Sequence, residues 1–131
     1  MRYSRNFKMK IKLNPNAKDA ATRDALVAEG GFGKYYTDHM VVCEWNEKDG
    51  WSEPELKAYG PISLDPATAV FHYGQEIFEG MKAYRQPDGG IGLFRPEANA
   101  RRFAKSANRL ALPEMPEELF IQTVEALVKQ D

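Results

Sequence analysis

The pattern of apolar and polar positions divides the chain into a sparse leader, a run of short strand-like segments and two helical stripes. Up to Gly33 the apolar residues are scattered. Lys12-Leu13-Asn14-Pro15-Asn16-Ala17-Lys18 is polar, contains a proline and reads as loop. Asp19 to Glu29 carries Ala20, Ala21, Ala25, Leu26 and Ala28, which predicts a turn or two of helix. Gly30-Gly31-Phe32-Gly33 breaks it, leaving Phe32 either as one hydrophobic anchor on a flexible linker or as a ring placed by tertiary contacts. From Lys34 the pattern changes. Met40-Val41-Val42-Cys43-Glu44-Trp45 is rich in strand formers, Asn46 to Gly50 supplies a turn, and Trp51 to Tyr59 returns as a partner strand. Pro54 makes that partner an edge or an interrupted strand. Gly60-Pro61 is a turn, Ile62-Ser63-Leu64 a short strand, and Asp65-Pro66 another break.

The organising stretch is Phe71-His72-Tyr73-Gly74-Gln75-Glu76-Ile77-Phe78-Glu79-Gly80-Met81-Lys82-Ala83-Tyr84-Arg85. Gly74 and Gly80 can take backbone angles that other residues avoid. They bracket helix-compatible residues and present Tyr73 and Phe78 side by side at the end of a sheet. Such a pair either walls a small apolar pocket or fills the core. Met81–Arg85 and Ile91–Phe94 then flank Gln86-Pro87-Asp88-Gly89-Gly90, which predicts a hairpin.

Two helices follow. Pro96 suits a first helical position and Glu97 the positive end of the helix dipole. Asn99, Phe103, Ser106, Ala107 and Leu110 share one face, with Arg102 at its margin and Arg101, Lys105 and Asn108 opposite. A marginal arginine either snorkels to solvent or aims its guanidinium at an anion. Leu112-Pro113 ends this helix. Pro116-Glu117-Glu118 begins the next, whose stripe is Phe120, Ile121, Val124, Leu127 and Val128. No capping residue is visible after Lys129-Gln130-Asp131.

Composition narrows the class. At 131 residues and 43% hydrophobic the chain suits one domain with its own core. Its 18 basic and 19 acidic residues leave a net charge of -1, so no global field draws nucleic acid or an acidic membrane. The single Cys43 cannot form an internal disulfide, which fits a reducing compartment, and its apolar run suggests a structural thiol rather than a nucleophile. The basic start, Met1 to Lys12, has no apolar stretch behind it, and no segment approaches the roughly 20 residues of a membrane span. A soluble, cytoplasmic protein is expected. His39 and His72 lack companions at metal-ligand spacing. Gly30-Gly31-Phe32-Gly33 has no strand before it and is not a phosphate-binding fingerprint.

Three separated motifs carry a resemblance: Phe32-Gly33-Lys34-Tyr35-Tyr36-Thr37-Asp38-His39-Met40, the Phe71–Arg85 run, and Phe94-Arg95-Pro96-Glu97-Ala98-Asn99-Ala100-Arg101-Arg102-Phe103. From about Gly31 onward the chain resembles the amino-terminal part of a branched-chain amino acid aminotransferase, a pyridoxal-phosphate enzyme of fold type IV. The resemblance implies an α+β small domain, an antiparallel sheet with helices packed on it, over residues 31–131, preceded by a leader, loop and short helix over 1–30. It implies that Arg102 grips the phosphate of pyridoxal 5′-phosphate, a planar cationic fork meeting a dianion. Tyr73 and Phe78 resemble substrate-pocket residues, with Phe32 closing the other side around leucine, isoleucine or valine. The parent reaction moves an amino group between these amino acids and 2-oxoglutarate, in a homodimer.

The same resemblance implies what is missing. The family's catalytic lysine, which forms a Schiff base with the cofactor, belongs to a larger second domain. No lysine here matches its motif, so no catalytic residue is assigned, and this chain alone is expected to be inactive. Partners are therefore branched-chain amino acids, 2-oxo acids and the missing large domain. The alternatives are another fold type IV enzyme, such as a D-amino acid aminotransferase or aminodeoxychorismate lyase, or a binding module without catalysis. The Tyr-Gly-Gln-Glu-Ile-Phe-Glu-Gly run and the Phe32 motif favour the branched-chain branch.

Overall fold

The computed structural model describes residues 7–131, so the first half of the basic leader lies outside the described residues. In chain order the elements are β1 (Lys10–Ile11), α1 (Ala20–Glu29), β2 (His39–Val42), β3 (Trp45–Asn46), β4 (Gly50–Trp51) and β5 (Glu55–Ala58). They continue with α2 (Ala69–Tyr73), β6 (Ala83–Arg85), β7 (Ile91–Leu93), α3 (Pro96–Arg109) and α4 (Glu117–Gln130). This is the α+β architecture expected, with small sheets and packed helices.

The largest sheet has the order β1-β5-β2. β2 and β5 run antiparallel, His39 opposite Ala58 and Val42 opposite Glu55. β1 adds to the other edge of β5 in parallel, Lys10 beside Glu55. The expected partner strand from Trp51 to Tyr59 is split: Gly50–Trp51 pairs locally with Trp45–Asn46, and pairing with β2 resumes only after Pro54. A proline cannot donate to a ladder, and here its carbonyl instead accepts from Lys10 N–H at 2.9 Å. β6 and β7 form the expected hairpin, Ala83 opposite Leu93.

Two local expectations are corrected. Ile62-Ser63-Leu64 is not a strand; Ile62 and Leu64 are exposed and unpaired. Pro61 and Pro66 flank it, and a three-residue segment between residues that lack N–H donors has little ladder to offer. The apolar run before Gly74 is a short helix rather than the end of a strand. The Asp65 side chain accepts from Ala67 N–H at 2.7 Å and its carbonyl from Thr68 Oγ1 at 2.6 Å, a local turn that starts α2. Gly74 ends α2 in the left-handed region at φ 56°. The residues after it are not helical.

α3 begins at Pro96 with Glu97 in its first turn, as the sequence implies. Its buried positions are Ala100 and Ala107, small residues that let α4 approach closely. Phe103 meets Phe120 of α4 at 5.1 Å between ring centroids. Leu119, outside the expected apolar stripe, is fully buried, whereas Phe120, Val124, Leu127 and Val128 are only half-buried and Leu110 is exposed beyond the helix end. Arg101, Lys105 and Asn108 are exposed, but Lys105 and Asn108 share a cleft with Arg102 and Ser106 rather than pointing away from them.

A polar junction ties these parts together. His39, 1% exposed, receives the Asn14 backbone N–H on Nε2 at 2.8 Å, so its proton sits on Nδ1. Nδ1 then donates to Asp131 Oδ1 at 2.7 Å, and His39 N–H donates to Asp131 Oδ2 at 2.9 Å. Next to it, buried Asp38 accepts from Lys18 N–H at 2.9 Å and pairs with Lys18 Nζ at 2.5 Å. Lys18 holds the Asp38 carboxyl below its ordinary value. The Gln122 amide also pairs with both backbone groups of Phe7, at 2.9 and 2.6 Å. Residues 14–18, β2 and the end of α4 are thus fixed to one another, and α4 carries a backbone clamp on Phe7.

Asp131→Ala leaves the buried His39 donors unpaired and should lower stability by about 1–3 kcal/mol. Urea unfolding checks this, with Glu125→Ala on the exposed side of α4 expected to change little.

Candidate functional site

Asn99 and Arg102 lie three residues apart on α3, hence on one side of the helix. That side meets the irregular segment between α2 and β6, where Glu79 is the focus. The Glu79 side chain is only 3% exposed, against 67% for Arg102. Arg102 Nε donates to Oε2 at 2.6 Å and Nη2 donates to Oε1, a side-on pairing of guanidinium and carboxylate. Oε1 also accepts from Asn99 Nδ2 at 2.9 Å and from Gly80 N–H at 3.0 Å. Asn99 Nδ2 reaches Gly80 O as well, at 3.0 Å.

The electrostatic consequence is large. The Arg102 guanidinium, with help from Asn99 and Gly80, holds the Glu79 carboxyl down to about 2, and the carboxylate in turn pushes Arg102 up. Burial works against the ionised form and is outweighed.

Beside this pair opens a cleft of about 420 Å³ lined by Ile77, Arg102, Lys105, Ser106, Arg109 and Leu110. Its charged walls are all basic, and Ser106 adds a hydroxyl, a donor set suited to an oxyanion. Gln75 Nε2 donates to Leu110 O at 3.0 Å, tying the segment after α2 to the far end of the cleft.

The expected aromatic residues are placed differently from a core. Tyr73 is 85% exposed, Phe78 83% and Phe32 102%. Neither Tyr73 nor Phe78 fills the interior, and Phe32 is not anchored by tertiary contacts. Phe78 lies over Gly80, where a Cβ would meet its ring at 3.3 Å. This corrects the reading of Gly80: its φ is not positive, and it provides room and a donor rather than an unusual backbone angle. Gly74 does use the left-handed region. Phe32 follows Gly30 and Gly31, which border a separate cleft of about 270 Å³ with Tyr35 and Tyr36.

Sequence reading missed Glu79, Asp38, His39 and Asp131 as structural polar centres. Glu79 sat in the motif without a role, and Asn99 was counted on the helix stripe. A carboxylate 23 positions before an arginine gives no periodic signal; only the irregular segment between α2 and β6 brings them together. Cys43 is half-buried, its Sγ donating to Ser52 O at 3.3 Å, and burial pushes the thiol up. Among the described residues no group of three His, Cys, Asp or Glu side chains is arranged to hold a metal ion. No described helix is long and apolar enough to cross a membrane.

No protein-family model matches the chain. Individual relatives do. The chain is 53% identical over 121 residues, 92% of its length, to a branched-chain-amino-acid aminotransferase of Mycolicibacterium smegmatis, covering 33% of that protein. It is 52% identical to a probable branched-chain-amino-acid aminotransferase of Streptomyces coelicolor, covering 92% of the chain and 34% of the relative. Against the mitochondrial branched-chain-amino-acid aminotransferase of Saccharomyces cerevisiae identity is 45%, over 95% of the chain and 30% of the relative. The chain thus spans about a third of the length of the curated relatives it matches, and over nearly all of its own length it is related to branched-chain-amino-acid aminotransferases.

The depressed Glu79 carboxyl sets a pH dependence. Its pairing with Arg102 stabilises the fold fully above about 4.5, the ordinary value, and is lost as pH falls toward about 2. Carboxyl NMR titration should place the Glu79 midpoint near 2, and Arg102→Ala should return it toward the ordinary value. A Glu79 midpoint unmoved by Arg102→Ala contradicts the assignment.

Proposed function

We propose that this chain, related to branched-chain-amino-acid aminotransferases, forms the substrate-side part of an active site that uses pyridoxal 5′-phosphate. The carrying observation is the arginine at the basic cleft. Arg102 is already oriented, its neighbours Lys105 and Arg109 are cationic, and Ser106 offers a hydroxyl. These residues fit a phosphate dianion, and in this reading Arg102 holds it with paired hydrogen bonds. When bound, the cofactor supplies an electron sink for bonds at the amino acid α carbon.

Phe32, Tyr73 and Phe78 serve as the apolar wall for the side chain of leucine, isoleucine or valine. Three rings exposed to 83–102% are open to be covered by substrate and by protein beyond this chain. Such a wall excludes water from the reacting end and orients an aliphatic side chain without a polar contact. Discrimination among the three amino acids is small, because one methylene is worth about 1–3 kcal/mol. The lysine that moves the α proton is supplied outside these residues, by a larger domain.

The whole protein then exchanges an amino group between branched-chain amino acids and 2-oxoglutarate, as a cytoplasmic homodimer whose small domain helps complete the neighbouring pocket. Two-thirds of each relative lies outside the matched stretch, which leaves room for such a domain.

The test is a protein in which this chain is continued to the length of its relatives. It should transaminate leucine, isoleucine and valine with 2-oxoglutarate, and borohydride should trap a lysine adduct outside residues 1–131. Arg102→Ala should weaken cofactor retention about tenfold or more, in line with the loss of a charge-assisted pair. Tyr73→Ala and Phe78→Ala should raise KM for leucine with a smaller effect on 2-oxoglutarate. A protein that neither retains the cofactor nor transaminates refutes the proposal.

A further inference from the structure

We propose that Glu79 is a positioning residue for Arg102: it grips one edge of the guanidinium so that the remaining N–H groups meet a phosphate monoester at the basic cleft. This rests on the reading above that Arg102 binds the cofactor phosphate.

The hydrogen-bond inventory carries the idea. A guanidinium has five N–H donors in a rigid plane. The side-on pairing with Glu79 uses Nε–H and one N–H of Nη2. Both Nη1 donors and the second Nη2 donor remain, and one N–H from each of Nη1 and Nη2 makes the end-on fork that matches two phosphate oxygens.

The pair is also unequal. Glu79 is sunk to 3% exposure and fixed by Gly80 N–H and Asn99, while the Arg102 side chain is 67% exposed and lines the cleft. A socket has been built for the carboxylate, and the arginine is held at its rim. A long side chain that is already ordered loses less freedom when an anion arrives.

Plain electrostatics predicts the opposite sign. Glu79 cancels the charge of Arg102, so as a mere counter-ion it weakens attraction for a phosphate, and its removal should tighten binding. As a positioning residue its removal should loosen binding. The two roles are separable by direction alone.

The experiment uses the protein in which this chain is continued to the length of its relatives, and compares pyridoxamine 5′-phosphate with pyridoxamine, neither of which forms adducts with lysines. Affinity is measured by titration calorimetry for the unaltered chain, Glu79→Gln, Arg102→Ala and the double variant. The unaltered chain should prefer the phosphorylated compound. Glu79→Gln should cut that preference about five- to tenfold, as expected for a charge-assisted bond, and should have no further effect once Arg102 is alanine.

In the unaltered chain, the Arg102 Nε–H resonance should persist when inorganic phosphate is added, because Glu79 keeps that edge. This measurement needs no variant and stands if Glu79→Gln fails to fold. Equal or tighter phosphate binding by Glu79→Gln overturns the proposal. So does an equal loss in the Arg102→Ala background, which marks a purely structural role, or loss of the Nε–H resonance on adding phosphate, which marks a competitor. If Arg102→Ala abolishes the preference and Glu79→Gln does not, the cofactor reading stands and this inference fails. If the unaltered chain shows no preference, both fail.

Discussion

A buried imidazole, bonded on one side to a backbone N–H and on the other to a carboxylate, holds three distant parts of this chain in place. His39 sits at the start of β2, Asn14 in the polar segment before α1, and Asp131 at the end of α4. With Pro54, Leu56, Ala100, Ala107, Leu119 and Ile121 as the buried apolar side chains among the described residues, the interior is thin, and directional bonds carry much of the placement. Asp38 and Lys18 reinforce the junction from the adjoining position. Because α4 packs on α3, fixing α4 to β2 also fixes the helix that bears Asn99 and Arg102. The site inherits its geometry from a junction that contains none of its residues.

The site itself follows the same logic on a smaller scale. Asn99 and Gly80 complete the shell around Glu79, and the shell decides which edge of Arg102 is free. The neighbouring aromatic rings behave oppositely: they are held by the backbone on which they stand and by little else. Under the proposed function, the rigid charged corner orients one end of a ligand and the exposed rings tolerate variation at the other.

What could be read from the sequence was what local chemistry dictates. The hairpin around Pro87–Gly90, the first turn of α3 at Pro96 and the apolar character of α4 all follow from residues within a few positions of one another. The motif around Gly74 and Gly80 also contains Glu79, whose side chain is held by Arg102 and Asn99 of α3. The errors came where distant parts decide the outcome. Ile62–Leu64 has strand-like side chains but no partner between its prolines. Leu119 lies off the predicted stripe, yet the packing of α4 against both α3 and β2 buries it. Glu79 and Asp131 are ordinary acidic residues until their remote partners are known.

The parallel edge strand β1 has a consequence for how the chain reaches this structure. β2 and β5 are close in sequence and pair as an antiparallel ladder, whereas Lys10 meets Glu55 across the whole intervening stretch. Closing that long loop carries an entropic cost without the return of a long ladder, since β1 is only two residues. The β2–β5 pairing is therefore the cheaper of the two to close, and β1 adds to an edge that this pairing supplies. Until it does, the outer N–H and C=O groups of β5 are open to any extended segment that passes. Once paired, β1 covers that edge of β5.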